Sequence, residues 1–444
     1  MKWRYEPARA VPHILIGDSQ WPGGQWVDNP VHASWDIGTL SYACMLSLPG
    51  YSFAEHYHKT TGRELPQFTR PSRYQVTEYL RSYPQEVGIA DAIHSGERVS
   101  GISRTRRGFF IESHGMTCKH LVLASGIFSE LIATPPLLEP LLKLPSSSGQ
   151  AASQDIPLLV VGSGFSAADV ITSCPPGQRI LHIYKWAPST SPSPLRACHQ
   201  QAYPEYAGVY RRMKKATKNA LHDTNPRPLG KRPTMRRAST SAFDLSRDWA
   251  TLYEGLPNTE ILAVKVDGNT AIITLKTATG AILHRRVSRL EYVVGRRGSL
   301  RYLSKDLLAE VCGSLEVGEM AISGRTLRHK VLDDVEVARN IYVTGSLTGD
   351  SLIRFAYGSC TEAAGRIMDG PRSCGGMIQS DSEMIEGLRD VKVSDASTPP
   401  ASNTSSPYSR PVSSSSASST ARIMCGLDGH HVSAGLRGRN EGSN

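Results

Sequence analysis

The sequence predicts an α/β fold in which a strand–glycine turn–helix–strand unit is inserted into a second, discontinuous domain. Three observations predict it. Ile156 to Trp186 reads as strand, glycine turn, helix and strand in one continuous stretch. Ahead of it, three short strand-like runs end at Ser125-Gly126. Behind it, the same pattern returns, a small antiparallel meander and then a strand ending at Gly295. Helical and strand periods thus alternate as they do in layered α/β proteins.

The central stretch carries the most chemistry. Leu158 to Val161 is continuously apolar, as a strand buried on both faces is. Gly162-Ser163-Gly164 follows, then apolar residues at helical spacing from Phe165 to Thr172, stopped by Pro175-Pro176-Gly177. Ile180 to Tyr184 is the second strand and Lys185 closes it. Gly162 suits the tight turn and Gly164 the close approach of a pyrophosphate. Ala167, in the third position of G-x-G-x-x-G/A, lets helix and strand pack closely. The helix N-terminus offers free N–H groups and a partial positive charge. No acid follows the second strand to hold a ribose hydroxyl; Lys185 stands there instead, so NADP is expected over NAD. Two other readings fit part of the pattern. One is a tight turn that binds nothing. The other is a nucleophile elbow, because Gly164-Phe165-Ser166-Ala167-Ala168 approaches G-x-S-x-G. The final glycine of the elbow is missing and no HGGG segment accompanies it.

The 444 residues suffice for two domains and a tail. Hydrophobic residues are 39% and aromatics 7%, low for a wholly globular chain; residues 394–444 account for much of that, being rich in Ser, Thr, Pro, Gly and Asn, and are expected to be disordered. The net charge of +10 is concentrated between Arg211 and Arg237, where Asp223 is the single acid. That block carries Pro226, Pro228 and Pro233 and is expected to be a solvated basic insertion within 188–240. It lacks the interleaved aromatics of a base-stacking platform, so a nucleic-acid partner is not expected. The eight cysteines form no Cys-x-x-Cys pair and read as reduced thiols. With no apolar leader and no apolar run of spanning length, a cytoplasmic protein without a membrane span is expected.

From the N-terminus, His13 to Ile16 reads as a strand running into Pro22-Gly23-Gly24-Gln25-Trp26. The glycine pair permits close backbone approach to a flat ligand and Trp26 offers a face to cover it; an ordinary turn with a core Trp reads equally well. Trp35 to Tyr57 reads as loop-rich. His56 and His58 read as surface histidines, with no third metal ligand in sight. Arg73 to Glu86 has helical spacing. Arg98 to Ser103, Gly108 to Ser113 and Lys119 to Ala124 are the three strand runs, and 146–154 is a linker. Ile261 to Val266 and Ala271 to Lys276 flank Asp267-Gly268-Asn269, a hairpin signal, with a third strand at Ile282 to Val287 and a fourth at Leu290 to Val294. Asn340 to Gly345 is the last strand. Gly345 and Gly349 permit close approach there, and Gly358 to Ile367 reads as a helix start with free N–H groups.

Together these elements resemble the oxidative-stress-induced growth inhibitor flavoproteins, within the flavin-containing and N-hydroxylating monooxygenase class. The resemblance runs from about Trp3 to Ile367. It is carried by HILIGDSQWPGGQW, VVGSGFSAAD, LVLASG and IYVTGSLTGDSLIRFAYGSC. It implies that Gly23, Gly24, Gln25 and Trp26 line an FAD, with Gly126 at the crossover. Gly345, Gly349 and Asp350 would close over the FAD from the C-terminal side. Gly162, Gly164, Phe165, Ser166 and Asp169 would shape the NADP loop, with Lys185 at the 2′-phosphate. The domains expected are an N-terminal FAD part at 1–145, an NADP-binding domain at 155–300 and a C-terminal FAD part at 301–370. The family opens with a strand and a first glycine loop for the FAD pyrophosphate. No G-x-G-x-x-G lies between Met1 and Gly24, so a truncated first unit lacking its central strand is expected.

The implied activity is NADPH-driven, FAD-dependent oxidation of a small-molecule substrate of unknown identity, monooxygenase-like. No catalytic side chain stands out; Asn29 and His32 are the polar candidates near the flavin, and no metal is expected. The alternative is a non-catalytic growth-regulatory protein that keeps the nucleotide-binding fold. Protein partners are not legible in the sequence.

Overall fold

A computed structural model describes residues 10–29, 31, 33–145, 155–222, 247–313 and 321–369. His32, the 394–444 tail and the prolines of the basic block lie outside the described residues. The first strand is β1 (Leu15–Gly17). It is followed by a 3-10 turn at Gly24–Trp26 and two helices, α1 (Phe53–Thr61) and α2 (Arg73–Val87). Both helices begin with reciprocal serine caps, Ser52 with Glu55 and Ser72 with Gln75, which satisfy donors a helix start leaves open. α1 is a correction to the loop-rich reading of 35–57. So is His56, which is buried and lies within hydrogen-bond distance of the Tyr51 and Ser82 hydroxyls, whereas His58 is exposed. Aromatic packing against Phe53 and Tyr79 encloses that histidine.

β2 (Ile93–Ser95) pairs in parallel with β1. β3 (Ile102–Thr105), β4 (Gly108–Ile111) and β5 (Met116–Cys118) form an antiparallel meander. β6 (Leu121–Leu123) is separate from it. The run 119–124 therefore does not close the meander; Met116–Cys118 does, and the chain turns before Leu121. β7 (Glu130–Leu131) and α3 (Glu139–Leu142) lead toward the central unit.

The central unit is a parallel sheet. β8 (Leu158–Val161), α4 (Phe165–Ser173) and β9 (Ile180–Tyr184) lie where the sequence places them. From β9 the chain crosses by α5 (Pro204–His222) and α6 (Trp249–Leu252) to β10 (Tyr253–Pro257), parallel to β9. The first part of the basic block is thus the outer half of a crossover helix rather than an insertion loop. Tyr206, Val209 and Met213 bury its inner stripe, so its helical period is set by packing. β11 (Glu260–Asp267), β12 (Thr270–Lys276) and β13 (Ile282–Val287) form an antiparallel meander. β14 (Arg289–Tyr292) returns beside β8, parallel to it. The sheet order is β10-β9-β8-β14, with the two outermost crossovers reversed about β8. In chain order that is 3-2-1-4, the arrangement of dinucleotide-binding sheets.

Alternation along the strands fills two cores. Leu158, Val160, Ile180 and Tyr184 face α4, α5 and Trp249. Leu159, Leu181 and Ile183 face α3 and the β11–β13 meander. The sheet is thereby covered on both sides, as a parallel sheet needs.

β15 (Arg296–Ser299) carries the chain out. α7 (Lys305–Cys312), β16 (Ala321–Ile322), α8 (Arg328–Asp333) and β17 (Glu336–Ala338) follow, then β18 (Ile341–Val343) and α9 (Ile353–Asp369). β18 pairs in parallel with β6. Residues from both flanks share one core: Ile102, Phe109, Leu121 and Leu123 with Leu300, Leu307, Ile341 and Leu347. Gly358 lies inside α9 rather than at its start, so its N–H is not a terminal one. Among the described residues no helix is long and apolar enough to cross a membrane.

Ile341 is fully buried between the two flanks. Ile341→Ala is expected to lower the unfolding free energy by about 2–5 kcal/mol, read from the shift of the urea midpoint at unchanged slope. A loss under roughly 1 kcal/mol would mean that the flanks do not share a core.

Candidate nucleotide-binding site

The carboxyl ends of β8 and β14 lie side by side where the strand order reverses, the place where open α/β sheets bind ligands. Gly162 stands at that point. Its φ is +152°, and a Cβ there would meet the Val293 carbonyl oxygen at 2.4 Å. Only glycine lets the two strand ends approach so closely before the chain turns into α4. Gly164 is the N-cap of α4, without a side-chain cap, and Phe165 and Ser166 open the helix. Ser163 and Gly164 donate their N–H groups to no partner among the described residues. Ala167 and Ala168 are buried against the sheet, so the helix N-terminus is held close to the strand ends.

Four side chains shape this loop that sequence reasoning passed over. His182, fully buried in β9, places Nε2 2.7 Å from the Gly162 carbonyl oxygen and Nδ1 2.8 Å from the Tyr253 hydroxyl. Burial pulls its pKa down to about 4. Ser193 Oγ donates to the Ser163 carbonyl oxygen at 2.6 Å. The Asn258 amide clasps the Trp186 backbone, accepting from its N–H at 2.7 Å and donating to its carbonyl oxygen at 3.0 Å. The Trp186 ring stacks on Tyr210 at 5.5 Å. The signal for His182 was present as the single polar residue of an otherwise apolar strand. Tyr253 and Asn258 lie beyond residues 223–246 and have no spacing that ties them to the loop.

Asp169 does not face the loop. It lies on α4, where its Oδ1 accepts from the Tyr206 hydroxyl at 2.8 Å. Burial raises its carboxyl to about 6, against the lowering influence of that bond and of Arg296. Phe165 packs edge-on against the same Tyr206 at 5.3 Å. Lys185 is exposed at the carboxyl end of β9, beside Trp186 and with no acid next to it in the chain.

The other predicted residues gather elsewhere. Gly126, at the end of β6, meets Ser346, at the end of β18: a Cβ on Gly126 would lie 3.1 Å from Ser346 Oγ, and Ile127 N–H donates to that oxygen at 3.1 Å. Gly349, with φ +94°, lies against the Gly324 carbonyl oxygen, which a Cβ would approach to 2.4 Å. Gly345 opens the same turn and Asp350 is exposed just past it. Gly23 and Gly24 form the turn before Trp26, with Gln25 between them and the tryptophan. The Trp26 side chain and Ile353, at the start of α9, pack on the same cluster of Phe53, Val76 and Tyr79. Arg73 fixes this loop by donating to the Trp26 and Val27 carbonyl oxygens at 3.0 and 3.1 Å. Asn29 accepts from Arg296 at 2.5 Å, so its side-chain oxygen is committed to the protein. Among the described residues no cluster of His, Cys, Asp or Glu could hold a metal ion.

A parallel 3-2-1-4 sheet with a glycine turn and helix start at its switch point defines a dinucleotide-binding α/β protein. The chain is similar to the mouse oxidative stress-induced growth inhibitor 1, at 22% identity over 404 residues covering 83% of this chain and 76% of that protein. It is also similar to the human oxidative stress-induced growth inhibitor 2, at 20% identity over 411 residues covering 81% and 73%. These relatives bear out the resemblance carried by the glycine segments. No family model matches the chain. A flavin-containing monooxygenase from Stenotrophomonas maltophilia superimposes with a TM-score of 0.46 at 15% identity, covering 79% of this chain and 90% of that one. An ornithine hydroxylase from Pseudomonas aeruginosa gives 0.43 at 14% identity, covering 80% and 92%.

Two substitutions probe the site. Gly162→Ala forces a methyl group against Val293 and is expected to cost about 1–3 kcal/mol of stability, measured by chemical unfolding. The pH profile carries the second. His182 has a folded pKa of about 4 against an unfolded value near 6.5, so the unfolded chain binds the extra proton and stability falls as pH drops through that window. The full loss is roughly 3 kcal/mol. Asp169, with its pKa raised to about 6, binds its proton first in the folded state and opposes that fall. Asp169→Asn is therefore expected to lose stability more steeply than wild type between pH 6 and 4, and an equal slope in both would remove the assigned burial of Asp169.

Proposed function

We propose that the chain is an FAD- and NADPH-dependent oxidoreductase, monooxygenase-like in its use of a small-molecule substrate. The observation that carries the reading is the Gly162–Gly164 turn at the reversal of a 3-2-1-4 parallel sheet. The residues there fit a dinucleotide. Gly162 lets the ends of β8 and β14 close against each other and so seats the helix start over them, and the N–H groups of Ser163 and Gly164 are open to a pyrophosphate. Lys185, exposed at the end of β9 with no neighbouring acid, suits a 2′-phosphate and gives the preference for NADPH over NADH. Trp186, held in place by Asn258, would border the adenosine end.

The flavin would lie on the other glycine group. Gly126, Gly345 and Gly349 bring backbone without side chains to the ends of β6 and β18, and the Gly23–Trp26 turn is held by Arg73. FAD, when bound, would take reducing equivalents from NADPH and supply the redox chemistry. The protein's own part is to orient the two cofactors and keep water from the reacting atoms. The fold and the names of its relatives, mouse and human growth inhibitors among them, agree with this reading and with a regulatory one that keeps only nucleotide binding.

Fluorescence titration tests the first half: NADPH is expected to bind at least about tenfold more tightly than NADH, and Lys185→Glu to erase that preference. NADPH oxidation with added FAD tests the second half. Oxidation no faster than with free flavin, under saturating FAD, would leave the nucleotide-binding regulatory reading in its place.

A further inference from the structure

The most unusual side chain in the central sheet is His182. β9 reads Ile-Leu-His-Ile-Tyr, and every one of its residues is buried. An imidazole there loses its hydration and returns nothing to the apolar core, so a strand built only for packing has no use for it. Its two nitrogens are both engaged, one on a backbone oxygen and one on a hydroxyl.

We infer that His182, held by Tyr253, is the positioning residue of the glycine loop: it turns the Gly162 carbonyl into the sheet and so aims the loop's N–H groups outward at the bound nucleotide. The inference rests on the nucleotide-binding reading for its ligand, though not for its geometry. The Gly162 oxygen can only accept, so Nε2 carries the hydrogen of that 2.7 Å bond. A neutral ring then has Nδ1 as its acceptor, and the Tyr253 hydroxyl donates to it at 2.8 Å. The chain of bonds runs in one direction, from Tyr253 through the ring to the loop, and fixes the tautomer. Burial keeps the ring neutral, which that tautomer requires.

The planarity of the peptide carries the effect outward. No described peptide is cis. In a trans peptide the N–H points opposite to the C=O. With the Gly162 carbonyl drawn toward His182, the Ser163 N–H faces away from the sheet. The Ser163 carbonyl is held in the same manner by the Ser193 hydroxyl at 2.6 Å, which turns the Gly164 N–H. Neither of these donors has a partner among the described residues. The loop is thereby set before any ligand arrives, and the order is supplied by side chains from β9, β10 and the segment after β9, none of them in the glycine motif.

Two variants and two readouts decide the matter. The double variant His182→Leu/Tyr253→Phe replaces both polar groups with apolar ones of similar size, which leaves the core packed. His182→Gln keeps an amide donor near the Nε2 position. In the unliganded protein, hydrogen exchange at Gly162, whose N–H donates to the Ile183 carbonyl oxygen at 3.0 Å, is expected to rise about tenfold or more in the double variant and to stay near wild type in His182→Gln. The dissociation constant for NADPH is expected to rise about tenfold in the double variant, with His182→Gln recovering most of the loss. A folded double variant, with a cooperative unfolding transition like that of wild type, that exchanges and binds as wild type does would overturn the inference. If the wild type itself binds no dinucleotide, the nucleotide reading falls, and the exchange comparison alone still decides whether His182 sets the loop.

Discussion

Two strand ends meet where there is no room for a side chain. Gly162 and Val293 close the switch point of the central sheet, and a single methyl group at Gly162 would overlap a backbone oxygen. Everything characteristic of the site follows from that approach. β8 and β14 can pair in parallel up to their last residues, and the turn into α4 begins at once. The helix therefore starts directly over the strand ends, with its unpaired donors at the mouth of the crevice. The interaction is repulsive in character: the fold is specified there by what glycine leaves out.

A seam of polar contacts ties the central unit to the flanks. Ser34 N–H donates to Ser173 Oγ at 2.8 Å, Tyr203 hydroxyl to the Leu40 carbonyl oxygen at 2.8 Å, and Arg70 pairs with Glu205 at 2.6 Å. Arg296 reaches Asn29. Arg70 and Glu205 are both largely shielded from water, so removing either alone would leave its partner's charge in a poor environment. One short stretch, from Asn29 to Leu40, supplies most of the flank's side of the seam.

The parts legible in the sequence share a physical cause. β8, α4 and β9 are buried on a sheet covered from both sides, so they read as mostly apolar and the limits of β8 and α4 are marked by Gly162 and Pro175. β10 escaped notice because Tyr-Glu-Gly-Leu-Pro offers neither an apolar run nor alternation. Its glycine is there for packing, since a Cβ on Gly255 would meet Ala216 at 2.9 Å. α5 was hidden by the prolines that follow it in the same basic block, although its own residues carry a buried stripe at helical spacing. The site divides along the same line. Glycines declare themselves by type and interval, whereas His182, Tyr253 and Ser193 act on the loop from distant positions and only the folded chain brings them to it.

The parallel pair β6 and β18 sets the order in which the chain can be completed. β8, β9, β10 and β14 all come from one continuous stretch, so that unit has every strand it needs once Tyr292 has been synthesised. Leu121–Leu123 must wait for Ile341–Val343, and until then an apolar strand edge and half of a core stand open. Domains fold during synthesis at a rate of about 5–20 residues per second. About 50 residues separate Tyr292 from Val343, so the outer core stays bare for roughly 3–10 seconds beside a central unit whose strands are all present.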